Sequence, residues 1–188
     1  MTEHMNIAVF ASGSGSNFQA MVEHETIRPH IKLLVCDKPG AKVIDRAEQY
    51  GIPVVVRRQA DFPGKESYEQ DILKHLQEQT ITWIFLAGYM RLIGPTLLHP
   101  FSGKIVNIHP SLLPDFPGLN AIQQALKAGV RETGVTIHFV DAGMDTGPVI
   151  AQQTVPVLPG DTENTLQTRV QKVEHTLYPE TIVKLINK

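Results

Sequence analysis

The sequence predicts an α/β fold, a doubly wound and mostly parallel sheet flanked by helices (Rossmann-like), with an antiparallel strand added near the carboxyl terminus. Three observations predict it. Short apolar runs alternate with longer amphipathic stretches through the first half of the chain. These runs lack polar alternation, as is typical of strands buried on both faces. After residue 130 the pattern becomes alternating, which indicates an antiparallel pair.

Five parallel strands are predicted in order at NIAVFA (6–11), IKLLVCD (31–37), IPVVV (52–56), WIFLAG (83–88) and KIVNIH (104–109). Helices are predicted between them at 16–25, 41–50 and 65–79. The last of these places Tyr68, Ile72 and Leu76 at helical spacing. Strand–helix alternation of this kind favours a parallel sheet, whose ligand sites lie beyond the carboxyl ends of the strands.

The carboxyl-terminal part is predicted to contain two antiparallel strands, TGVTIHFV (133–140) and PVIAQQTVPV (148–157), and a long helix. Asp161 or Thr162 is expected to cap that helix, and Pro179 to kink or restart it. Its expected apolar stripe consists of Leu166, Val170, Val173 and Leu177. Because we find no repeat, linker or low-complexity tract, residues 1–188 are predicted to form a single domain.

The composition excludes several classes of protein. Seventeen basic residues against 19 acidic ones, a net charge of -2, argue against a non-specific nucleic-acid binder. The single cysteine, Cys36, lies in an apolar run and points to a reducing compartment. No run approaches 18 apolar residues, and the start lacks the features of a signal peptide. We therefore expect a cytoplasmic protein without a membrane partner.

A glycine-rich loop, FASGSGSNFQA, directly follows the first strand and leads into a helix. Gly13 and Gly15 allow backbone N–H groups to converge where Ser16 and Asn17 open that helix, a geometry that suits an anion. Phe18 stands where a dinucleotide fingerprint has glycine, and no Walker lysine follows. The loop is either a site for one phosphate monoester or a tight turn without a ligand.

The segment after the fourth strand, IFLAGYMRLIGP, carries Met90, Leu92 and Ile93 at the predicted carboxyl edge of the sheet. These side chains either cap the core or line a pocket for a flat organic ligand. Arg91 is expected to face solvent or to pair with a carboxylate. Lys65 opens a helix, where solvation at the surface is the simplest interpretation.

Asn107 and His109 end the fifth strand, and their i, i+2 spacing places both on one face. An amide and an imidazole there can donate two hydrogen bonds to one developing oxyanion, and the imidazole can move a proton. Ser111 lacks the surroundings of a nucleophile, so the implied chemistry is direct transfer between two bound substrates. The alternative is that both side chains only satisfy backbone groups where the strand ends.

Asp141 and Asp145 follow a later strand in a glycine-rich loop, at the sheet edge where His109 is expected. A carboxylate beside an imidazole favours the protonated ring, and on this ground we assign Asp145 a catalytic role. The alternative for Asp141 and Asp145 is that they only stabilise the turn. A metal site at His109, His138 and the two aspartates is not favoured, because no paired-ligand motif anchors it. Glu174 and His175 are expected at the solvent boundary of the last helix.

Nearly the whole chain resembles the phosphoribosylglycinamide formyltransferases, folate-dependent enzymes of purine synthesis. The resemblance rests on NIAVFASGSGSN, LAGYMRLIGP, NIHPSLLPDFPG, DAGMDTGPVIAQ and RVQKVEHTLYP. NIHPSLLP is common to the wider formyltransferase family and therefore indicates the chemistry rather than the acceptor. The glycine-rich loop and the short length narrow the match. Where some members carry additional histidines after PGL, this chain has Asn120, Ala121 and Ile122.

The resemblance implies that the amine of glycinamide ribonucleotide attacks the formyl carbon of 10-formyltetrahydrofolate, a co-substrate, without a metal. By this resemblance Asn107 and His109 hold the oxyanion, His109 donates a proton, and Asp145 favours the protonated imidazole and helps to relay the proton. The phosphate and glycinamide residues implied are Gly15, Ser16, Asn17 and Glu174. The folate residues implied are Lys65, Met90, Arg91, Leu92, Ile93, Asn107, Val140, Asp141 and Asp145.

Three other functions are weighed against this one. Methionyl-tRNA formyltransferases share HPSLLP but are longer, with an additional module for tRNA. We expect no such module within 188 residues, and a net charge of -2 gives no basic surplus for tRNA. Formyltetrahydrofolate hydrolases resemble the core but have a preceding regulatory domain, which is not expected here. A non-catalytic binding module is expected to lack at least one of Asn107, His109 and Asp145. All three are present, which favours the enzyme. The expected partners are the two small-molecule substrates, with no nucleic acid and no membrane, and a homodimer is left open.

Overall fold

A computed structural model describes residues 4–188 and confirms the predicted fold class. Within these residues seven strands form one sheet in the order β3-β2-β1-β4-β5-β6-β7. The strands are β1 (Ile7–Ala11), β2 (Ile31–Cys36), β3 (Val54–Val56), β4 (Trp83–Leu86), β5 (Ile105–His109), β6 (Glu132–Phe139) and β7 (Val149–Pro156). The helices are α1 (Ser16–Glu23), α2 (Lys42–Gln49), α3 (Lys65–Glu78), α4 (Pro95–Leu98), α5 (Ala121–Ala128) and α6 (Glu163–Ile186).

The pairing of the strands agrees with the sequence patterns. β1 pairs in parallel with β2 and β4, and β2 pairs in parallel with β3. β6 and β7 pair in antiparallel register, with Thr133 opposite Val155 and Thr136 opposite Gln152. The chain divides into two compact units, a first that ends at Val106 and a second that spans Asn107–Lys188.

The first unit is built around strands that are buried on both faces. Every residue of β1 has no exposed surface, which explains its unbroken apolar run. Tyr68, Ile72 and Leu76 of α3 are buried, so the predicted helical stripe is confirmed. Cys36 is buried in β2, and burial raises the pKa of its thiol, as expected for an inert core residue.

The second unit ends in one long helix, and here two predictions are corrected. α6 continues from Glu163 to Ile186 through Pro179, so the helix does not restart there. Thr162 caps it, since its hydroxyl accepts from the N–H of Thr165 at 3.2 Å, which confirms one of the two predicted caps. The buried stripe passes through Leu166, Val170, Glu174 and Tyr178, whereas Val173 and Leu177 are only partly buried.

Helix α5 was not predicted at all. Its sequence, AIQQALKA, follows Pro117, Gly118 and Asn120, so the whole stretch has the composition of a loop. The helix buries Ala121, Ile122 and Ala125 and ends at Gly129 in a left-handed conformation. Among residues 4–188, no helix combines the length and the apolar character that crossing a bilayer requires.

Candidate active site

Four polar side chains meet in the second unit: Asn107 and His109 from β5, His138 from β6, and Asp145 from the loop that joins β6 to β7. Asp145 is flanked by two imidazoles, with its Oδ2 3.6 Å from His109 Nδ1 and its Oδ1 3.7 Å from His138 Nε2. Asn107 Nδ2 lies 3.3 Å from His138 Nε2. The structure therefore brings the three predicted catalytic residues into one cluster around a carboxylate.

The ring of His109 is buried and held from both sides. Its Nε2 lies 2.9 Å from the carbonyl oxygen of Phe116. A carbonyl oxygen only accepts, so Nε2 must carry a hydrogen and donate it. The ring can then gain or lose its second proton only at Nδ1, the nitrogen that faces Asp145. The geometry thus assigns proton transfer to a single atom of His109.

His138 is the residue of this cluster that the sequence analysis missed as a functional residue, since it was considered only as a metal ligand. Its Nδ1 lies 2.9 Å from the carbonyl oxygen of Phe139 and therefore carries the hydrogen of the neutral ring. Nε2 then presents a lone pair, to which Asn107 Nδ2 donates. This bond fixes the orientation of the Asn107 amide and leaves the second hydrogen of Nδ2 for another acceptor. A histidine inside the buried run VTIHF was the only signal in the sequence.

Asp145 is positioned by its backbone as well as by its neighbours. It has a φ of 55°, a left-handed conformation that is uncommon outside glycine and that aspartate tolerates better than most residues. Its Oδ2 accepts a hydrogen bond from the N–H of Gly118 at 2.8 Å. The backbone conformation and this hydrogen bond together fix the direction of the Asp145 carboxylate.

The other aspartate of the loop has a different role. Asp141 Oδ1 accepts from the hydroxyl of Thr146 at 2.6 Å and from the N–H of Gly143 at 2.9 Å. The Thr146 hydroxyl, followed by the Gly143 N–H, holds the pKa of the Asp141 carboxyl below its usual range. These contacts are turn chemistry, the alternative considered for Asp141. The neighbouring Val140 is half-buried.

The segment between β5 and α5 turns back on His109. The N–H of Ser111 donates to the carbonyl of His109 at 3.0 Å, and the Ser111 hydroxyl donates to the carbonyl of Asp115 at 2.6 Å. Ser111 has no exposed surface, so this hydroxyl stabilises the turn and does not face a substrate. Phe116, which follows, has a φ of 50°, and its carbonyl returns to the ring of His109.

In the first unit, the glycine-rich loop forms a tight strand-to-helix turn. Gly15 caps α1 with a φ of 76°, and a Cβ there would overlap the side chain of Val43. Packing alone therefore requires glycine at this position. No side chain of the described residues caps the start of α1 at Gly15, and the amino end of a helix is a position that suits an anion. Arg46, which the sequence analysis missed, donates from Nε to the carbonyl of Ser14 at 2.7 Å.

The segment that carries Met90–Ile93 is tied to the start of this loop. The N–H of Ser12 donates to the carbonyl of Gly88 at 3.1 Å, and the Ser12 hydroxyl accepts from the N–H of Met90 at 2.9 Å. Met90 and Leu92 are 56% and 54% exposed, whereas Ile93 is buried. Two of these three apolar side chains are therefore available to a ligand, and the third caps the core.

Arg91 pairs with a carboxylate, which was one of the two environments predicted for it; the other was solvent. Its Nε donates to Asp37 Oδ2 and its Nη1 to Gln59 Oε1, both at 2.9 Å, and its guanidinium lies 5.9 Å from the ring centroid of Tyr68. The Asp37 side chain is almost fully buried. A partly buried pair of this kind holds the 90–93 segment in place as well as providing positive charge.

Lys65 and Glu69 of α3 lie beside the end of that segment. Lys65 is exposed, as expected, and Glu69 is buried. Glu69 Oε2 accepts from the N–H of Gly94 at 2.8 Å. Burial raises the pKa of the Glu69 carboxyl, while the Gly94 N–H and the charge of Lys65 oppose that rise.

Glu174 corrects a further prediction, because it is 8% exposed and not at the solvent boundary. It occupies the buried stripe of α6 one turn before Tyr178, whose pKa is raised first by burial and then by the charge of Glu174. Among residues 4–188, no group of three or more His, Cys, Asp or Glu is placed to hold a metal ion. Asp141, one of the four ligands considered, instead accepts hydrogen bonds within its own loop.

Comparison with known proteins shows a consistent set of relatives. A family model described as formyl transferase matches residues 5–182. A phosphoribosylglycinamide formyltransferase of Bacillus subtilis is 50% identical over 182 residues, 95% of this chain and 93% of the relative. A trifunctional purine biosynthetic protein adenosine-3 of Drosophila melanogaster is 41% identical over 186 residues, 96% of this chain but 14% of that protein. The crystal structure of glycinamide ribonucleotide transformylase 1 from Geobacillus kaustophilus superposes with a TM-score of 0.93 at 56% identity, covering 98% of this chain and 100% of that one.

Proposed function

The chain belongs to the formyl transferase family, and from this premise we propose how it transfers the formyl group of 10-formyltetrahydrofolate to the amine of 5-phosphoribosylglycinamide. In purine biosynthesis this reaction yields formylglycinamide ribonucleotide and tetrahydrofolate. The proposal assigns the chemistry to Asn107, His109 and Asp145. The observation that carries it is the contact of Asp145 with His109 Nδ1, at 3.6 Å in a largely buried setting.

The amine nitrogen bonds to the formyl carbon, and the carbonyl electron pair moves to oxygen to give a tetrahedral oxyanion. The free hydrogen of Asn107 Nδ2 and the Nδ1–H of protonated His109 stabilise that oxyanion, since fixed donors need no reorganisation during reaction. Collapse restores the carbonyl and breaks the bond to N10 of the folate. The attacking nitrogen loses one proton and N10 gains one, and His109 and Asp145 relay them.

The binding residues are assigned on the family resemblance and on the exposure of the segments involved. Gly15, Ser16 and Asn17 hold the ribose phosphate at the first turn of α1, and Glu174 contacts the glycinamide. The folate is bound by Lys65, Met90, Arg91, Leu92, Ile93, Asn107, Val140, Asp141 and Asp145. The exposed Met90 and Leu92 side chains support this assignment, because a flat pteridine ring requires accessible apolar surface.

Turnover of purified protein tests the function directly. Loss of 10-formyltetrahydrofolate is followed with glycinamide ribonucleotide as acceptor, with no acceptor, and with charged initiator tRNA. Turnover with the ribonucleotide alone is expected. Turnover without an acceptor would instead indicate a hydrolase, and absence of turnover in all three assays a binding module.

His109→Ala tests the mechanism. It is expected to lower kcat about a hundredfold or more with the fold retained, whereas His99→Ala, at an exposed histidine, is expected to leave kcat unchanged. Normal turnover of His109→Ala would remove His109 from the mechanism.

Two finer predictions accompany the proposal, that residues 1–188 act as a single domain and that the enzyme works in the cytoplasm, and a third question left open is whether two chains associate as a homodimer. Limited proteolysis tests the first, because a single domain releases no stable half. Localisation of a tagged chain tests the second. Sedimentation at micromolar concentration tests the third, and a monomer mass alone would remove the homodimer.

A further inference from the structure

Thr136 lies in the middle of β6 with no exposed surface, and its hydroxyl group is fully used within the described chain. It donates to the carbonyl of Ser111 at 2.6 Å. It accepts from the N–H of Leu113 at 3.1 Å and from Nε2 of Gln152 at 2.8 Å. A hydroxyl has one hydrogen and two lone pairs, so these three bonds satisfy it completely.

Two of these partners are backbone groups of residues 110–118, which we call the return segment because its end comes back to the catalytic cluster. The Phe116 carbonyl accepts from His109 Nε2 at 2.9 Å. The Gly118 N–H donates to Asp145 Oδ2 at 2.8 Å. The return segment is thus anchored by Thr136 at its start and contacts both members of the catalytic pair at its end.

A separate observation shows how closely the return segment lies against β6. Gly134 is two residues before Thr136 and faces the same side of the strand. A Cβ at Gly134 would overlap the side chain of Leu112 and the carbonyl oxygen of Gln153. Gln152 adds a further link, because its Nε2 also lies 3.1 Å from the carbonyl of Leu113. The anchoring is therefore part of a close-packed contact and not an isolated hydrogen bond.

The return segment needs such anchoring because it contains a strained residue. Phe116 has a φ of 50°, which bulky side chains rarely adopt. A backbone of this kind persists only where neighbouring contacts determine it. If the anchor at Thr136 is lost, the Phe116 backbone can relax, and its carbonyl then leaves His109 Nε2.

We propose that Thr136 is a positioning residue for formyl transfer, whose hydroxyl holds the return segment so that the Phe116 carbonyl and the Gly118 N–H fix His109 and Asp145. Thr136 does not act on the substrate itself. The proposal rests on the function proposed above for His109 and Asp145, but its structural part can be tested without turnover.

The chain offers a matched control on the same strand. Thr133 is also buried in β6, yet its hydroxyl finds no hydrogen-bond partner among residues 4–188. Valine has the shape of threonine without the hydroxyl, so Thr136→Val and Thr133→Val make the same chemical change at two buried positions. Thr136→Ser retains the hydroxyl and serves as the rescue variant.

The first measurement is steady-state kinetics with both substrates. Thr136→Val is expected to lower kcat about tenfold or more while KM for the ribonucleotide stays within about twofold, because proton transfer is impaired and not phosphate binding. Thr136→Ser is expected to keep most of the wild-type kcat, and Thr133→Val all of it. An unchanged kcat in Thr136→Val, or an effect on KM alone, would overturn the proposal.

The second measurement reads the His109 ring directly, by nitrogen NMR of protein with labelled histidine. In the wild type and in Thr133→Val, Nε2 of His109 is expected to carry the hydrogen. In Thr136→Val this tautomer preference is expected to be lost. The two measurements distinguish a failure of the proposed function from a failure of the Thr136 proposal. Absence of turnover in the wild type would overturn the function, and the protonation of the His109 ring nitrogens would still show whether Thr136 holds the return segment.

If Thr136→Val does not fold, Gln152→Ala, at an exposed residue, tests the same anchoring. It deletes the Nε2 that donates both to the Thr136 hydroxyl and to the Leu113 carbonyl. A smaller loss of kcat with the same change at His109 Nε2 is expected. Wild-type behaviour in both measurements would overturn the proposal.

Discussion

The two units of the chain use left-handed backbone in different ways. The first unit has it at five glycines, among them Gly15 and Gly88, and at one other described residue, Thr80. The second unit has it at three glycines and also at Phe116, Asn120 and Asp145. Glycine adopts this conformation without strain, whereas the other residues need contacts to hold it. At two of these three residues, Phe116 and Asp145, the left-handed backbone lies where a carbonyl or a side chain contacts His109.

The two units also differ in how far their proposed functional residues are exposed to solvent. The residues proposed for binding in the first unit include the half-exposed Met90 and Leu92 on a segment held by backbone hydrogen bonds. In the second unit His109, Ser111 and His138 are buried, and the side chain of each donates a hydrogen bond to a backbone carbonyl. Binding surfaces can remain accessible and adaptable, whereas groups that move protons must be fixed before the substrate arrives.

The largest expected effect comes from removing the charge at the centre of the cluster. Asp145→Asn keeps the size of the side chain but removes the negative charge beside His109 Nδ1, so kcat is expected to fall about 10²–10⁴-fold. Asp45→Asn, the same change at an exposed residue of α2 with no proposed role, is the control. A kcat for Asp145→Asn no lower than that of Asp45→Asn would mean that the buried cluster has no special role.

A smaller effect is expected at His138. Replacing it by phenylalanine removes the lone pair that orients Asn107, and kcat is expected to fall about tenfold to a hundredfold. His138→Gln can still present an acceptor to Asn107 and is expected to lose less. Equal kcat values for the two variants would show that the orientation of the amide does not depend on this hydrogen bond.

Thr80 allows the cost of left-handed backbone to be measured separately from catalysis. It is the left-handed non-glycine residue described in the first unit, and it has no proposed function. Asparagine tolerates this conformation better than a β-branched residue. Thr80→Asn is expected to raise the free energy of unfolding by about 0.5–1 kcal/mol with kcat unchanged. Denaturant unfolding measures the first and the formyl-transfer assay the second; a stability loss would indicate that the Thr80 hydroxyl, which accepts from Asn6, outweighs the strain.

The smallest effect concerns buried charge in the first unit. Because the pKa of Glu69 is raised in the folded state, its protonated form favours folding, and this contribution is lost as pH rises through the folded pKa. Glu69→Gln cannot ionise and can still accept from the Gly94 N–H. Its stability relative to the wild type is therefore expected to increase from pH 4 to pH 7. Denaturant unfolding across that range should show the trend, and the opposite slope would contradict it.

The sequence allowed the sheet to be predicted because strands buried on both faces leave a continuous apolar signal. It also allowed the Asn107, His109 and Asp145 cluster to be anticipated, since polar residues at strand ends meet at one edge of a sheet. Helix α5 was missed because the proline and glycine before it have loop composition. Glu174 was misplaced because a charged residue normally marks the solvent side of a helix, and its burial depends on packing that periodicity does not reveal.

The contacts of His109 illustrate what no sequence pattern could supply. The group that fixes its Nε2 is a backbone carbonyl, which every residue possesses. The identity of residue 116 therefore does not predict this hydrogen bond. The contrast between Thr133 and Thr136 is of the same kind, because two buried threonines of one strand differ only in what lies opposite them. Such differences follow from tertiary placement and become visible only in the structure.

The return segment begins on the carbonyl of His109 and ends on its ring, and this closed path has a consequence for insertions and deletions. Asp115 and Pro117 are exposed, so their side chains can be exchanged with little effect on packing. One added residue, however, lengthens the path by up to about 3.3 Å, more than the whole length of the bond between the Phe116 carbonyl and His109. The segment thus tolerates substitution at its exposed Asp115 and Pro117 but no change in length, and a loop graft from another protein will preserve activity only if it matches the residue count.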